Sequence, residues 1–240
     1  PARYARSTYS AAVTRGAQLH PYVSFPEALV HLGELIARAD GPAYHAVYLD
    51  VVDALSHRHG PSSPHVDAEL RSLFAALADE LPRVLGARGR RTLALLTADH
   101  GQIAVDPART VYVDDRVPAL SRWLRRASDG RPLVPGGSPR DLFLYVQPGR
   151  VDEARSALER ALADCATVHA SAELFEAGVF GPSPSPRLRA RVGDLLILPR
   201  ANEMVFWRGD GRFVQSKRGH HGGMSAEEME IPLLAWRPGA

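Results

Sequence analysis

The run Thr92-Leu93-Ala94-Leu95-Leu96-Thr97 limits the fold of this chain more than any other stretch. Four consecutive apolar residues sit between two threonines, with none of the in-out alternation of a strand that has one wet face. Such a strand is expected to be covered on both faces, as strands are in parallel sheets flanked by helices. It runs directly into Asp99-His100-Gly101. In open α/β sheets, the loops beyond the carboxyl ends of the strands are where ligands gather.

Helices of the right kind surround it. Ser24-Phe25-Pro26-Glu27 offers a capping serine, an early proline and a glutamate at the third position. Leu29, Leu32, Leu35 and Ile36 then follow at helical spacing until Asp40-Gly41-Pro42. Residues 43–52 read as a short apolar strand ending at Asp50 and Asp53. Ser63-Pro64 opens a second helix, with Val66, Leu70, Leu73, Phe74, Leu77 and Leu81 on its apolar stripe.

From about residue 105 the texture changes to one broken by Pro and Gly. A strand over 141–147, a helix over 151–164 and a strand over 166–171 then form a β-α-β unit. These features predict an α/β core over residues 1–104 and 187–240, with an inserted cap-like α+β subdomain over 105–186. The main sheet is expected to resume at Gly193-Asp194-Leu195-Leu196-Ile197-Leu198 and to close on the strand Pro232–Trp236. Ser225 and Glu228 form a second capping box.

Composition excludes several classes. A formal net charge of +2 with scattered arginines gives no basic stripe for duplex nucleic acid. No apolar run approaches the roughly 20 residues of a membrane-spanning helix. Cys165 is the only cysteine, so there is no intrachain disulfide and no thiolate metal site, and the cytoplasm is the expected compartment. The chain opens Pro1-Ala2-Arg3-Tyr4 without a signal-peptide pattern, so any targeting signal is expected on a missing N-terminal part.

Three segments place Asp and His where an apolar run gives way to a loop: Asp53-Ala54-Leu55-Ser56-His57 before Gly60-Pro61, Asp99-His100-Gly101, and His220-His221-Gly222-Gly223. Carboxylate and imidazole together suit zinc or a similar borderline cation. Glycine beside each group permits a sharp turn and leaves room for an oxyanion. Taken singly, each segment is also what an ordinary helix end or exposed turn looks like. Arg140 and Lys217 are candidate phosphate contacts but read first as surface residues. His59 and His65 read as solvent-facing, Phe206 and Trp207 as core, and Cys165 as a small buried residue.

Taken in order, the three segments resemble the type I phosphodiesterases and nucleotide pyrophosphatases of the alkaline phosphatase superfamily. Tyr48 through Pro61 is similar to that family's Asp-x-x-Gly-His-x-x-Gly-Pro segment, with Ser56 where the family usually has Gly. Asp99-His100-Gly101 and Gly219–Gly223 are similar to its Asp-His-Gly and final His-Gly segments. The resemblance implies a three-layer α/β/α core, alkaline phosphatase-like, with a mostly parallel sheet that is incomplete at the N-terminus. It implies two divalent ions, zinc first and manganese second. Asp53, His57 and His221 would hold one, and Asp99 and His100 would contribute to the other. His221 is preferred because it directly precedes Gly222, with His220 left open.

The implied reaction is two-metal in-line displacement on a small phosphate ester or nucleotide, through a Thr or Ser nucleophile. No match for that nucleophile is found. Ser7, Thr8, Ser10 and Thr14 read as loop residues. It is therefore expected on a missing N-terminal segment of the same protein, which, or a second copy, would accompany this chain. The chain alone is expected to be inactive. The alternatives are a phosphomonoesterase, sulfatase or phosphomutase of the same superfamily, or a non-catalytic metal-stabilised module.

Overall fold

The computed structural model describes residues 1–238 and divides the chain into two compact units. The first holds Pro1–Ser56, Ser62–Asp99 and Pro232 onward, and the second holds His57–Pro61 and His100–Ile231. In chain order the first unit carries α1 (Thr8–Val13), α2 (Phe25–Arg38), α3 (Val51–His59, whose last turn belongs to the second unit), α4 (Pro64–Leu85) and β1 (Ala94–Thr97). Both helix starts foreseen in the sequence form as expected. Ser24 and Glu27 make a reciprocal capping box, and Ser63 caps α4 through the backbone N–H of Val66. The two helices pack through Leu29, Leu81 and Leu85.

The second unit continues with β2 (Ile103–Ala104), β3 (Val111–Tyr112), α5 (Val113–Arg116), β4 (Gly136–Ser138), β5 (Asp141–Leu144), α6 (Val151–Leu162) and β6 (Ala166–Ala170). It ends with α7 (Ser171–Glu176), α8 (Pro186–Arg191), β7 (Leu195–Pro199), β8 (Val205–Phe206), β9 (Gly219–His220) and α9 (Ala226–Met229), before β10 (Leu233–Trp236) returns to the first unit. Its largest sheet has the order β4-β5-β7-β6, antiparallel throughout. Behind it lies a closed apolar core in which Leu142, Leu144, Leu158, Leu162, Leu195 and Ile197 are fully buried.

Several sequence expectations are corrected here. The run over 92–97 is not a strand covered on both faces. Its strand β1 pairs antiparallel with β10 in a two-stranded ladder, and Leu95 is 60% exposed. Residues 43–50 form no strand, because none of the described residues offers them a ladder. The strand at 195–199 does not resume a main sheet but lies between β5 and β6, so the second unit runs past 187 to Ile231 instead of ending near 186. Among the described residues, pairing is mostly antiparallel, with β3–β8 the parallel exception, against the mostly parallel sheet expected. A continuous apolar run reports burial, and burial in β7 comes from α6 and its neighbours without any parallel crossover. Ser56 lies buried inside α3, so its departure from the family pattern falls on a helix and not on a loop.

Candidate metal centre

The second unit gathers histidines from three distant parts of the chain. His57 enters from the last turn of α3, His100 from just beyond β1, and His221 from just beyond β9. The rings of His100 and His221 are stacked with centroids 3.6 Å apart and planes within 14°. A ring nitrogen of one lies within 4.8 Å of a ring nitrogen of the other. His57 stands 5.1 Å from His221, centroid to centroid.

Two of these rings are oriented by backbone carbonyls. His57 Nδ1 lies 2.6 Å from the carbonyl oxygen of Gly219, and His100 Nδ1 lies 2.9 Å from that of Gly101. A carbonyl oxygen only accepts, so each Nδ1 is the donor of its contact. This is how metal-ligating imidazoles are usually fixed, with the second ring nitrogen donating to an outer partner. The donor set therefore fits a divalent borderline ion. The backbone N–H of Arg218 also donates to the carbonyl of His57 (2.8 Å), tying the end of α3 to β9.

His220 plays a different part from its neighbour. It is buried on β9, 5% exposed, with Nε2 3.2 Å from Gln215 Oε1. Burial, with His57 and Lys217 nearby, pushes its imidazole down to about 3, so it stays neutral. Adjacent residues at a strand end point to opposite sides. Here His220 faces inward and His221 joins His100. Asp53 precedes His57 by one turn on α3, and Asp99 precedes His100 directly, both in the first unit.

Gly101 and Gly222 make room for protein atoms. A Cβ on Gly101 would come 2.0 Å from the carbonyl oxygen of Glu227. Gly222 has φ +117, and a Cβ there would meet Ser138 Oγ at 2.8 Å and Asp141 Oδ1 at 2.9 Å. A side chain is thus excluded at Gly101 by space and at Gly222 by both conformation and space.

One residue that sequence reasoning underrated joins two of the motifs. Glu228, 2% exposed, forms a bidentate pair with the buried Arg140, Nε to Oε1 and Nη2 to Oε2, both 2.8 Å. Its carboxylate accepts the backbone N–H of Gly223 (3.0 Å) and the Ser225 hydroxyl (2.8 Å), while its backbone carbonyl accepts the N–H of Gly101 (2.8 Å). The loops bearing His100 and His221 therefore hang on the same residue. Ser225 with Glu228 was legible as a capping box, and that local reading concealed the distant guanidinium. Arg140 is buried, not the surface residue expected.

Burial alone would raise the Glu228 carboxyl, but Arg140, Ser225 and Gly223 together bring it below its ordinary value. Its contribution to stability is then fully present above the unfolded glutamate value of about 4.3 and is lost as pH falls through the lower folded value. The difference in unfolding free energy between the native chain and Glu228→Gln should shrink as pH drops below about 4. Chemical denaturation across pH 3–7 checks this, and a pH-independent difference would contradict it.

Ser7, Thr8, Ser10 and Thr14 serve the first turns of the chain. Ser7 caps α1 through Ser10 N, Ser10 donates to the Tyr4 carbonyl, and Thr14 donates to the Ser10 carbonyl. No helix of the described residues is long and apolar enough to cross a membrane.

Residues 2–223 match the family model described as Type I phosphodiesterase / nucleotide pyrophosphatase. No curated protein matches the chain. Among solved structures it is similar to an inactive variant of murine ectonucleotide pyrophosphatase / phosphodiesterase 5 in complex with AMP. The TM-score is 0.64 at 20% identity, covering 91% of this chain and 54% of that one. The human counterpart gives a TM-score of 0.65 at 18% identity, covering 90% and 54%. The chain thus spans about half the length of these relatives, and the likeness shows a shared fold.

Proposed function

Because the chain belongs to the type I phosphodiesterase / nucleotide pyrophosphatase family, we propose that it forms the metal-holding part of a hydrolase acting on phosphodiester or pyrophosphate bonds. Nucleotides are the substrate class, in keeping with the AMP held by the murine relative. The observation that supports this best is the meeting of His57, His100 and His221, with two Nδ1 atoms fixed by backbone carbonyls. Asp53, one turn from His57, completes one ligand set with His57 and His221, and Asp99 joins His100 in the second. Zinc suits this oxygen and nitrogen donor set, with manganese the alternative. Bound ions would supply charge neutralisation at the transferred phosphoryl group and orient it for in-line attack.

The chain's own residues do the positioning. Gly219 and Gly101 carbonyls orient two of the rings, and Glu228 with Arg140 holds both histidine loops at once. The attacking hydroxyl, on this reading, comes from polypeptide outside these 240 residues. The hydroxyls of Ser7, Ser10 and Thr14 are engaged in or around α1, which supports that view. The same polypeptide, or a second copy, would cover the apolar strands β1 and β10, where Leu95 and Leu233 are exposed.

The test is turnover of bis-p-nitrophenyl phosphate with added Zn²⁺ or Mn²⁺. The 240-residue chain alone is expected to bind the ion yet show little turnover, and a chain extended by the upstream polypeptide to gain it. Robust turnover by the 240-residue chain, abolished by His221→Ala, would place the nucleophile inside it. A chain that binds neither ion would overturn the metal reading.

A further inference from the structure

Two glycines follow His221 directly, and glycine has the widest backbone freedom of any residue. A loop of that kind does not fix its own course, so the direction of the His221 ring is set by what the loop rests on. Gly223 is tied through its N–H to Glu228. Gly222, at φ +117, rests on a different support, the tip of the hairpin between β4 and β5.

Pro139 and Arg140 close that tip, with Ser138 and Asp141 facing each other across the ladder. Gly137, φ +86, lets the strands approach where a Cβ would stand 1.8 Å from the carbonyl oxygen of Asp141. One Asp141 carboxylate oxygen, Oδ1, accepts both the backbone N–H of Ser138 (2.8 Å) and its hydroxyl. The Ser138 hydroxyl oxygen accepts the N–H of Arg140 (3.1 Å) and lies 3.2 Å from the carbonyl oxygen of His221. Its single proton thus faces two acceptors, the carboxylate and the His221 carbonyl. The hairpin is itself anchored. Val205 N donates to the Pro139 carbonyl (3.1 Å), and Arg140 Nη1 donates to the Arg200 carbonyl (2.7 Å).

We propose that Ser138 and Asp141 are positioning residues for His221: together they fill the space over Gly222 and fix the peptide on which the His221 ring turns. The assignment rests on the reading of His221 as a metal ligand, but the alignment it requires belongs to the chain without any ion. Ser138 Oγ and Asp141 Oδ1 stand 2.8 and 2.9 Å from where a Cβ of Gly222 would be. With either group removed, the loop can pivot about Gly222 and carry the His221 ring off His100, on which it stacks at 3.6 Å. The largest sheet of the second unit, through β4 and β5, thereby takes part in the metal centre without contributing a ligand, as outer-shell partners do.

Imidazole proton resonances of the metal-free 240-residue chain test the alignment, and chelator competition for Zn²⁺ tests its consequence. A proton of His221 held over the His100 ring carries a ring-current displacement, and His221→Ala identifies the signal. Ser138→Ala and Asp141→Ala should each collapse that displacement, while the signal of His169, on β6, stays in place. Each should also weaken zinc binding by about ten- to a hundredfold, the range for losing an outer-shell partner. Asp141→Asn keeps an oxygen that accepts from both Ser138 donors. Its displacement should be native, and its zinc affinity within about threefold of native, below that range. Val168→Ala is the control, in the buried part of β6 at the opposite edge of the same sheet. It should lower the thermal midpoint and leave both readouts unchanged. A native displacement in Ser138→Ala would overturn the proposal. So would its loss in Val168→Ala, because the effect would then be a general loosening of the sheet. If the native chain binds no zinc, the metal reading fails, and the metal-free resonances still decide this one.

Discussion

His221→Ala is expected to weaken zinc binding by about a hundredfold or more, beyond the 10–100-fold typical of losing an outer-shell partner, whereas His220→Gln should change it by about tenfold or less. The two residues are neighbours in sequence, and only their surroundings differ. His221 stacks on His100 at 3.6 Å and faces His57, which makes it the ring able to share an ion with either. His220 is buried, meets Gln215 through Nε2 and touches only the edge of His57. Its replacement should register in stability instead, because a buried hydrogen-bonded group is exchanged for one of different shape. Competition against a chromophoric chelator measures both affinities. The opposite order, with His220→Gln the more damaging, would exchange the two roles and remove the reason for reading the His100–His221 pair as a ligand pair.

Arg140→Met should lower the unfolding free energy by about 3–5 kcal/mol, the usual cost of stranding one partner of a buried ion pair. Glu228 would keep the Gly223 N–H and the Ser225 hydroxyl but lose both strong donors in a site 2% exposed. The carbonyl of Arg200, which accepts from Arg140 Nη1 at 2.7 Å, would lose that donor as well. Converting both members, Arg140→Met with Glu228→Leu, should recover much of the loss because no charge is then left buried. Zinc affinity should nevertheless stay low in the double variant, since the Gly223 N–H would no longer be held. Urea unfolding and the same chelator competition separate the two effects. A single substitution costing less than about 1 kcal/mol, the value of an exposed pair, would mean that the pair is not closed to water.

What could be read from the sequence was what chain neighbours decide. Ser24 with Glu27, Ser63 with Val66, and the strand at 195–199 all appear where expected, because caps and apolar runs act within a few residues. Which strand lies beside which was not legible. The residues of β7 announce that they are buried, but nothing in Leu195-Leu196-Ile197 names β5 and β6 as neighbours. The site follows the same division. Three histidine-bearing segments stood out by residue type and glycine spacing, while Arg140 did not, being one arginine among many whose partner lies 88 residues away. The choice between His220 and His221 turned on a strand-end alternation that needs the strand's partner, β2, to be known.

The ladder between residues 94–97 and 233–236 has a consequence for the order in which the protein is made. Every residue of the second unit after Pro61 is synthesised between its two strands, and that unit's apolar clusters draw on residues 103–207 alone. During translation the interior segment can therefore close while β1, made earlier, still waits for β10. The usual order, in which the region nearest the start of the chain consolidates first, is inverted. A nascent chain halted before Leu233 would carry a closed interior segment, with the backbone edge of β1 still without its ladder.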